Sequence, residues 1–260
     1  MPAETARLAG QGALRYLSGV TAASPLRMSL PTHLSLPGGK VPLLVRVNPR
    51  ARRLALRIDA QSDAVELVLP PMTSLPQAAG FLESNRGWVA SRLKALPPRA
   101  SFVNGAEIPV HGFPHRIRQQ TRGNSDRPVW IEGGEIRVTG DPEHLARRVR
   151  DFLHELARKE LAQRARKLAS TIGRKVEGVS VRDTTTRWGS CSASGNLSFS
   201  WRLILAPQSV LHYVVAHEVA HLAEMNHGAR FWRLVERLDP DHERARAWLN
   251  DNRARLLRIG

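Results

Sequence analysis

The sequence predicts an α+β fold, with a β-rich N-terminal region followed by a largely helical C-terminal part. Three observations carry this. Short runs rich in β-formers, separated by turn residues, fill the stretch from residue 41 to 138. A long amphipathic helix opens at Asp141-Pro142. A strand-like pair and then further helical segments follow it, so strands and helices are segregated rather than alternating as βαβ units.

Residues 1–37 mix small residues, scattered Arg and several Pro without a period, and read as a flexible tail. Arg7 and Arg15 interrupt any secretory apolar core. Residues 41–47, 54–58 and 65–69 read as antiparallel strands, parted by Asn48-Pro49 and the turn at 59–63. Residues 74–96 read as a helix, with Leu82, Val89 and Leu93 near helical spacing. A second strand set follows at 102–110, 116–119, 129–131 and 136–138, with hairpin-type turns at Asn104-Gly105 and Gly133-Gly134. Asp141 as N-cap and Pro142 at the first helical position start a helix. Leu145, Val149, Phe152, Leu153, Leu156 and Leu168 form its stripe, and Gly173 stops it. Residues 178–182 and 195–205 are strand-like; helices follow from Pro207, over 228–238 and over 241–257. The implied division is a tail (1–37), a β-rich region (38–140) and a C-terminal domain (141–260).

Composition narrows the function. The 260 residues carry 39 Lys and Arg against 23 Asp and Glu, a formal net charge of +16. Residues 181–260 hold 11 Arg against 8 acidic residues, so most of the excess lies in the first 180. That excess suits either a solvated Arg-rich surface or a phosphate-binding face, and keeps weak nucleic-acid binding open as a function. Aromatic residues are 5% of the chain, with no interleaving suited to base stacking. The lone cysteine, Cys191, excludes a disulfide framework and a multi-Cys zinc cluster, and suits the cytoplasm. Its residue type and surroundings read as a small buried side chain rather than a nucleophile. No apolar run is long enough to cross a bilayer.

The chemistry concentrates in His217-Glu218-Val219-Ala220-His221, an H-E-x-x-H motif. Residues four apart share one helix face, so His217 and His221 can direct two imidazole nitrogens at one metal ion. Glu218 lies beside that face, within reach of a water that Zn²⁺ would acidify to a pKa of about 7. This makes Glu218 the candidate general base. His227 is six residues past His221, and a continuous helix would turn it roughly 240° away. Either His227 is no ligand, or the helix ends between them. Asn226 offers an exit, because Asn tolerates the left-handed conformation. Three His ligands would leave an open, catalytic type of site. Upstream, residues 196–204 alternate polar and apolar side chains and read as a hairpin strand, and an edge strand beside a metal helix can hold an extended peptide. Arg187, Ser190, Tyr213 and Asn226 are site-adjacent candidates. His111, His115 and His242 lie in turn-rich or charged surroundings and read as surface positions.

Several stretches resemble the YgjP-like metallopeptidase family, related to SprT-like and other zincin metalloproteases. They are Arg187-Trp188-Gly189-Ser190-Cys191-Ser192, residues 201–207, residues 213–221, His227 and Phe231-Trp232. Residues 50–58 and the Gly105 and Gly112 region are similar to the family's β-rich N-terminal part, so the resemblance runs from about residue 40 onward. It implies a zincin-like core: the 141–171 helix beside the active helix, with a small sheet from 178–205. It further implies one zinc ion per chain on His217, His221 and His227, with Glu218 as general base. Metzincins have a similar spacing but carry Gly where this chain has Glu224. The implied activity is zinc-dependent hydrolysis of a peptide or protein. Relatives connected with nucleotide phosphohydrolysis keep a nucleoside triphosphate open as an alternative substrate.

Overall fold

The computed structural model describes residues 30–120 and 128–260. Contacts divide the chain into two compact units, Met1–Ile58 with Asp63–Leu93, and Asp59–Ser62 with Lys94–Gly260. The division falls between residues 93 and 94, so the β-rich stretch 38–140 is shared by both units. The reason is packing: Phe102, Ile108, Ile117, Ile136 and Val138 bury in the same core as the long helix. Most of the expected tail lies outside the described residues, but residues 33–36 form a strand.

The first unit holds β1 (His33–Leu36), β2 (Gly39–Val47), β3 (Ala55–Asp59) and β4 (Ala64–Leu69), in the order β1-β2-β4-β3. The expectation of a purely antiparallel set is corrected here. β1 and β2 are antiparallel, but β2 and β4 pair in parallel, Leu43 opposite Val65 through Val47 opposite Leu69. β4 (AVELVL) is buried at five of its six positions, and a strand that apolar is stable in the interior of a sheet. The expected helix over 74–96 is two helices, α1 (Leu75–Ser84) and α2 (Arg86–Lys94). Asn85 breaks it: its side-chain amide donates to the Phe81 carbonyl at 2.7 Å, competing with the helical ladder. Ser74 and Gln77 close a capping box at the start of α1. Ala78, Leu82 and Val89 bury against Leu43, Val65, Leu67 and Leu69.

The second unit opens with β5 (Glu107–Val110), β6 (Phe113–Gln120), β7 (Val129–Glu132) and β8 (Glu135–Thr139), in the order β5-β6-β8-β7 with β6 and β8 parallel. α3 (Leu145–Thr171) follows a short 3-10 turn at Pro142–His144. Its buried residues are Leu145, Val149, Leu153, Ala157, Leu161, Ala165 and Ala169, every fourth position. Such a stripe precesses by about 40° per step. One helix therefore packs on several neighbours: β7, β8 and β9 (Gly178–Arg182), and α4 (Gln208–Ala220). This is the helix pair expected of the core.

A three-stranded sheet, in the order β10-β11-β9, is formed with β10 (Gly189–Cys191) and β11 (Asn196–Ser200). β11 stops at Ser200, short of the expected residue 205. Trp201–Leu205 is a 3-10 turn with all five residues buried, an environment with no solvent face for an alternating strand. α5 (Ala229–Leu238), α6 (His242–Asp251) and α7 (Arg253–Leu257) complete the unit. Among the described residues, no helix is long and apolar enough to cross a membrane.

The turn between β5 and β6 is tied to the start of α4. His111 and Gly112 donate backbone N–H groups to the carbonyls of Ile204 and Leu205, at 2.7 and 3.2 Å. Gly112 has φ +82°, and a Cβ there would lie 3.0 Å from Pro207, so only glycine fits this approach. His111 is itself left-handed (φ 52°), with its Nε2 3.0 Å from Glu160 on α3. It is a half-buried anchor between hairpin and helix rather than a plain surface residue.

Candidate metal centre

α4 is buried on nearly every side: Leu211, Val214, Val215, Ala216, Val219 and Ala220 are at most 3% exposed. Its polar residues His217, Glu218 and His221 therefore sit in largely apolar surroundings, where each polar group needs a partner. The helix ends at Ala220, earlier than expected. Ala223 and Glu224 both donate backbone N–H groups to the Ala220 carbonyl, closing a tight turn. Asn226 is not the left-handed exit: among the described non-glycine residues, only Asp63 and His111 have positive φ. The chain instead turns back through residues 221–224, and the Asn226 carbonyl accepts from Gly228 N–H just before α5.

That turn brings His227 to the other two histidines. One ring nitrogen from each of His217, His221 and His227 lies within 4.8 Å of the others. The Nε2 atoms of His217 and His227 are 3.1 Å apart. Two ligands on a tetrahedral zinc, at about 2.0–2.1 Å each, would stand about 3.4 Å apart. The His217–His227 pair thus suits a zinc-sized ion, and a His221 ring nitrogen lies within 4.8 Å of both. The His221 Nδ1–H donates to the Glu224 carbonyl at 3.1 Å, which fixes the tautomer and leaves Nε2 with its lone pair. Burial, aided by the two neighbouring histidines, lowers the His217 pKa to about 4, keeping the ring neutral as a ligand must be.

The rings share a platform that the spacing of the motif does not reveal. Phe231, fully buried on α5, lies 4.9, 4.5 and 4.7 Å from the ring centroids of His217, His221 and His227. Trp232 lies against His217 and His227, at 5.8 and 6.0 Å. His242 stacks on Trp232 at 6.1 Å and belongs to this aromatic layer, half-buried rather than on the surface.

Glu218 is 5% exposed. Burial pushes its carboxyl up to about 8, with the Arg187 guanidinium pulling the other way. A cation on the histidines would favour the ionised form. β10 passes directly over this carboxyl: a Cβ on Gly189 would fall 2.5 Å from Glu218 Cγ and Oε1. Gly189 is thus a site residue that the sequence reading quoted without a role. The structure places it in β10, outside the strand-like segments expected from the sequence, and a glycine inside a strand marks close approach of another group.

β11 is the central strand of the small sheet, and β10 is the edge strand that lies against α4. Ser190 pairs with Ser198, while Trp188 O and Ser192 N also bond towards β11. The alternation turns the backbone groups of Gly189 and Cys191 outwards. Ser190 takes its place through this ladder. Tyr213 lies one turn before His217, with ring centroids 6.0 Å apart, and burial raises its phenol pKa. Burial, with the Glu218 charge, likewise raises the Cys191 thiol. The Cys191 thiol is therefore held protonated and unreactive. Arg253 donates to the Thr185 carbonyl, and the buried Arg202 lies 3.4 Å from Asp183; both hold the loop that carries Arg187.

No curated protein and no solved structure matches the chain. The family described as YgjP-like, metallopeptidase domain, matches residues 52–252. That span takes in the three histidines, Glu218, the edge strand β10 and most of the second unit, and the chain belongs to the YgjP-like metallopeptidase family.

Proposed function

We propose that this protein is a zinc-dependent peptidase with His217, His221 and His227 as metal ligands and Glu218 as general base. The observation that carries the reading is the convergence of three imidazole nitrogens beside a buried carboxylate, under an open strand edge. Zinc held there would supply a Lewis acid and an acidified water at neutral pH, one ion per chain. The chain's own residues do the rest. Glu218 accepts the proton of the attacking water and returns it to the departing amine. The outward N–H and C=O groups of Gly189 and Cys191 hold an extended peptide by main-chain hydrogen bonds. The protonated phenol of Tyr213, beside Glu218 in the same cavity, donates towards the developing oxyanion. Phe231 keeps the imidazoles in register. A single cysteine suits a reducing, cytoplasmic setting.

The test pairs metal analysis with turnover. The expected result is one zinc per chain and cleavage of an unfolded protein by wild type. Glu218→Gln should retain the metal and lose about 10²–10⁴-fold in rate. An active Glu218→Gln protein ends the general-base role. Turnover of nucleoside triphosphates without any peptide cleavage ends the peptidase reading.

A further inference from the structure

Beside Glu218 and the edge strand lies a cavity of about 250 Å³. Trp188, Tyr213 and Leu249 give it apolar walls, and Arg246 and Asn250 of α6 bring polar groups to it. Pockets that take whole drug-sized ligands begin at roughly 300 Å³, so this one suits a side chain. Its position matters as much as its size. An extended peptide on the outer edge of β10 projects alternate side chains to either side. One of them, next to Glu218, faces this cavity.

Arg246 is the one basic residue among those that line the cavity. Among the described residues, no carboxylate pairs with Arg246. Its guanidinium carbon lies 5.3 Å over the Trp232 ring, a stacking that braces the side chain and leaves its donors available. It lines the cavity together with Tyr213, His217 and Glu218. Glu218 lines the same cavity, so an acidic side chain gains from Arg246 only by seating at the α6 end, away from that carboxylate.

We propose that Arg246 sets the specificity of this site, the cavity taking the acidic side chain, Glu or Asp, of the substrate residue next to the bond that is cleaved. This rests on the peptidase reading above and adds a substrate class to it.

The probes are blocked hexapeptides, identical except for one Glu, Gln or Lys scanned along both sides of the centre. Binding to the zinc-loaded protein is read by tryptophan fluorescence and calorimetry, and cleavage separately by mass spectrometry. At one position next to the cleaved bond, Glu should bind wild type about tenfold or more tighter than Gln, the scale of a hydrogen bond to a charged group. Arg246→Gln should abolish that preference, and Arg246→Glu should shift it to Lys. Equal binding of the Glu and Gln peptides to wild type overturns the proposal, as does a Glu preference that survives in Arg246→Gln. A nucleoside triphosphate that outcompetes the Glu peptide and needs Arg246 overturns it in favour of a phosphate subsite. Glu-selective, Arg246-dependent binding with no peptide cleaved leaves the acidic subsite standing and removes the peptidase reading, so the two failures are distinct.

Discussion

The sheet β1–β4 and the sheet β5–β8 follow one plan. Each begins with an antiparallel pair, and in each the second and fourth strands run parallel at the centre. Their surroundings differ. The first closes a small core of its own with α1 and α2. The second shares a much larger core with α3 and α4, and its β5–β6 turn is bonded to Ile204 and Leu205, just before α4. The one cluster of three candidate metal ligands among the described residues belongs to this second unit. A strand plan thus says little about function; what matters is which turn reaches which helix.

The largest expected difference between the units is chemical. Glu218→Gln should cost about 10²–10⁴-fold in turnover while both units stay folded. Matched deletions in the two cores sharpen the comparison. Leu67→Ala and Leu161→Ala each empty a fully buried position and should each cost about 2–5 kcal/mol. Calorimetry with and without a chelator checks their independence. Zinc at a hundred times its Kd should protect the second unit by about 2.7 kcal/mol. Leu161→Ala should lower this zinc-sensitive transition, and Leu67→Ala should leave it in place. A chelator that melts both units equally would break the comparison.

A smaller effect is expected at the platform. Phe231→Leu keeps an apolar residue but loosens three imidazoles, and should weaken zinc binding about tenfold, measured by competition with a chromophoric chelator. Leu234→Ala, on the same helix away from the ring contacts, is the control.

The smallest effect is a pH dependence at the hairpin anchor. The His111 hydrogen bond, with Arg164 nearby, holds the Glu160 carboxyl below its ordinary value of 4.5. A group whose pKa is depressed by folding stabilises the fold above its unfolded value and loses that contribution as pH falls through the folded one. His111→Asn, which still tolerates the left-handed backbone, should lower stability near neutrality by about 1 kcal/mol. Denaturant titrations from neutral to acid pH should show a shallower acid loss in the variant. An unchanged acid slope would mean that Glu160 draws its shift from elsewhere.

Much of the fold was legible from residue order. Leu145, Val149 and Leu153 of the α3 stripe, the Gly133-Gly134 hairpin and the start of α4 at Pro207 lie where turn residues and periodicity put them, because these signals act within a few residues, whereas Phe152, Leu156 and Leu168 are only partly buried. The strand directions were not legible. Whether β4 pairs with β2 in parallel or follows it in a meander depends on which strand is most deeply buried. The break at Asn85 turns on one side-chain hydrogen bond, and the 3-10 turn at Trp201–Leu205 on burial from all sides.

The site divides in the same way. The sequence by itself determined the donors: two histidines one helical turn apart, a glutamate beside them and a third histidine within reach, because ligand chemistry and helical spacing are local properties. The tertiary structure decided what those donors meet. It ended the helix at Ala220 so that His227 could return, slid Phe231 beneath all three rings, and laid Gly189 against the Glu218 carboxyl. It also set Arg246 beside the cavity. Each of these joins residues from different elements, and their contact follows from packing in three dimensions, which no spacing along the chain encodes.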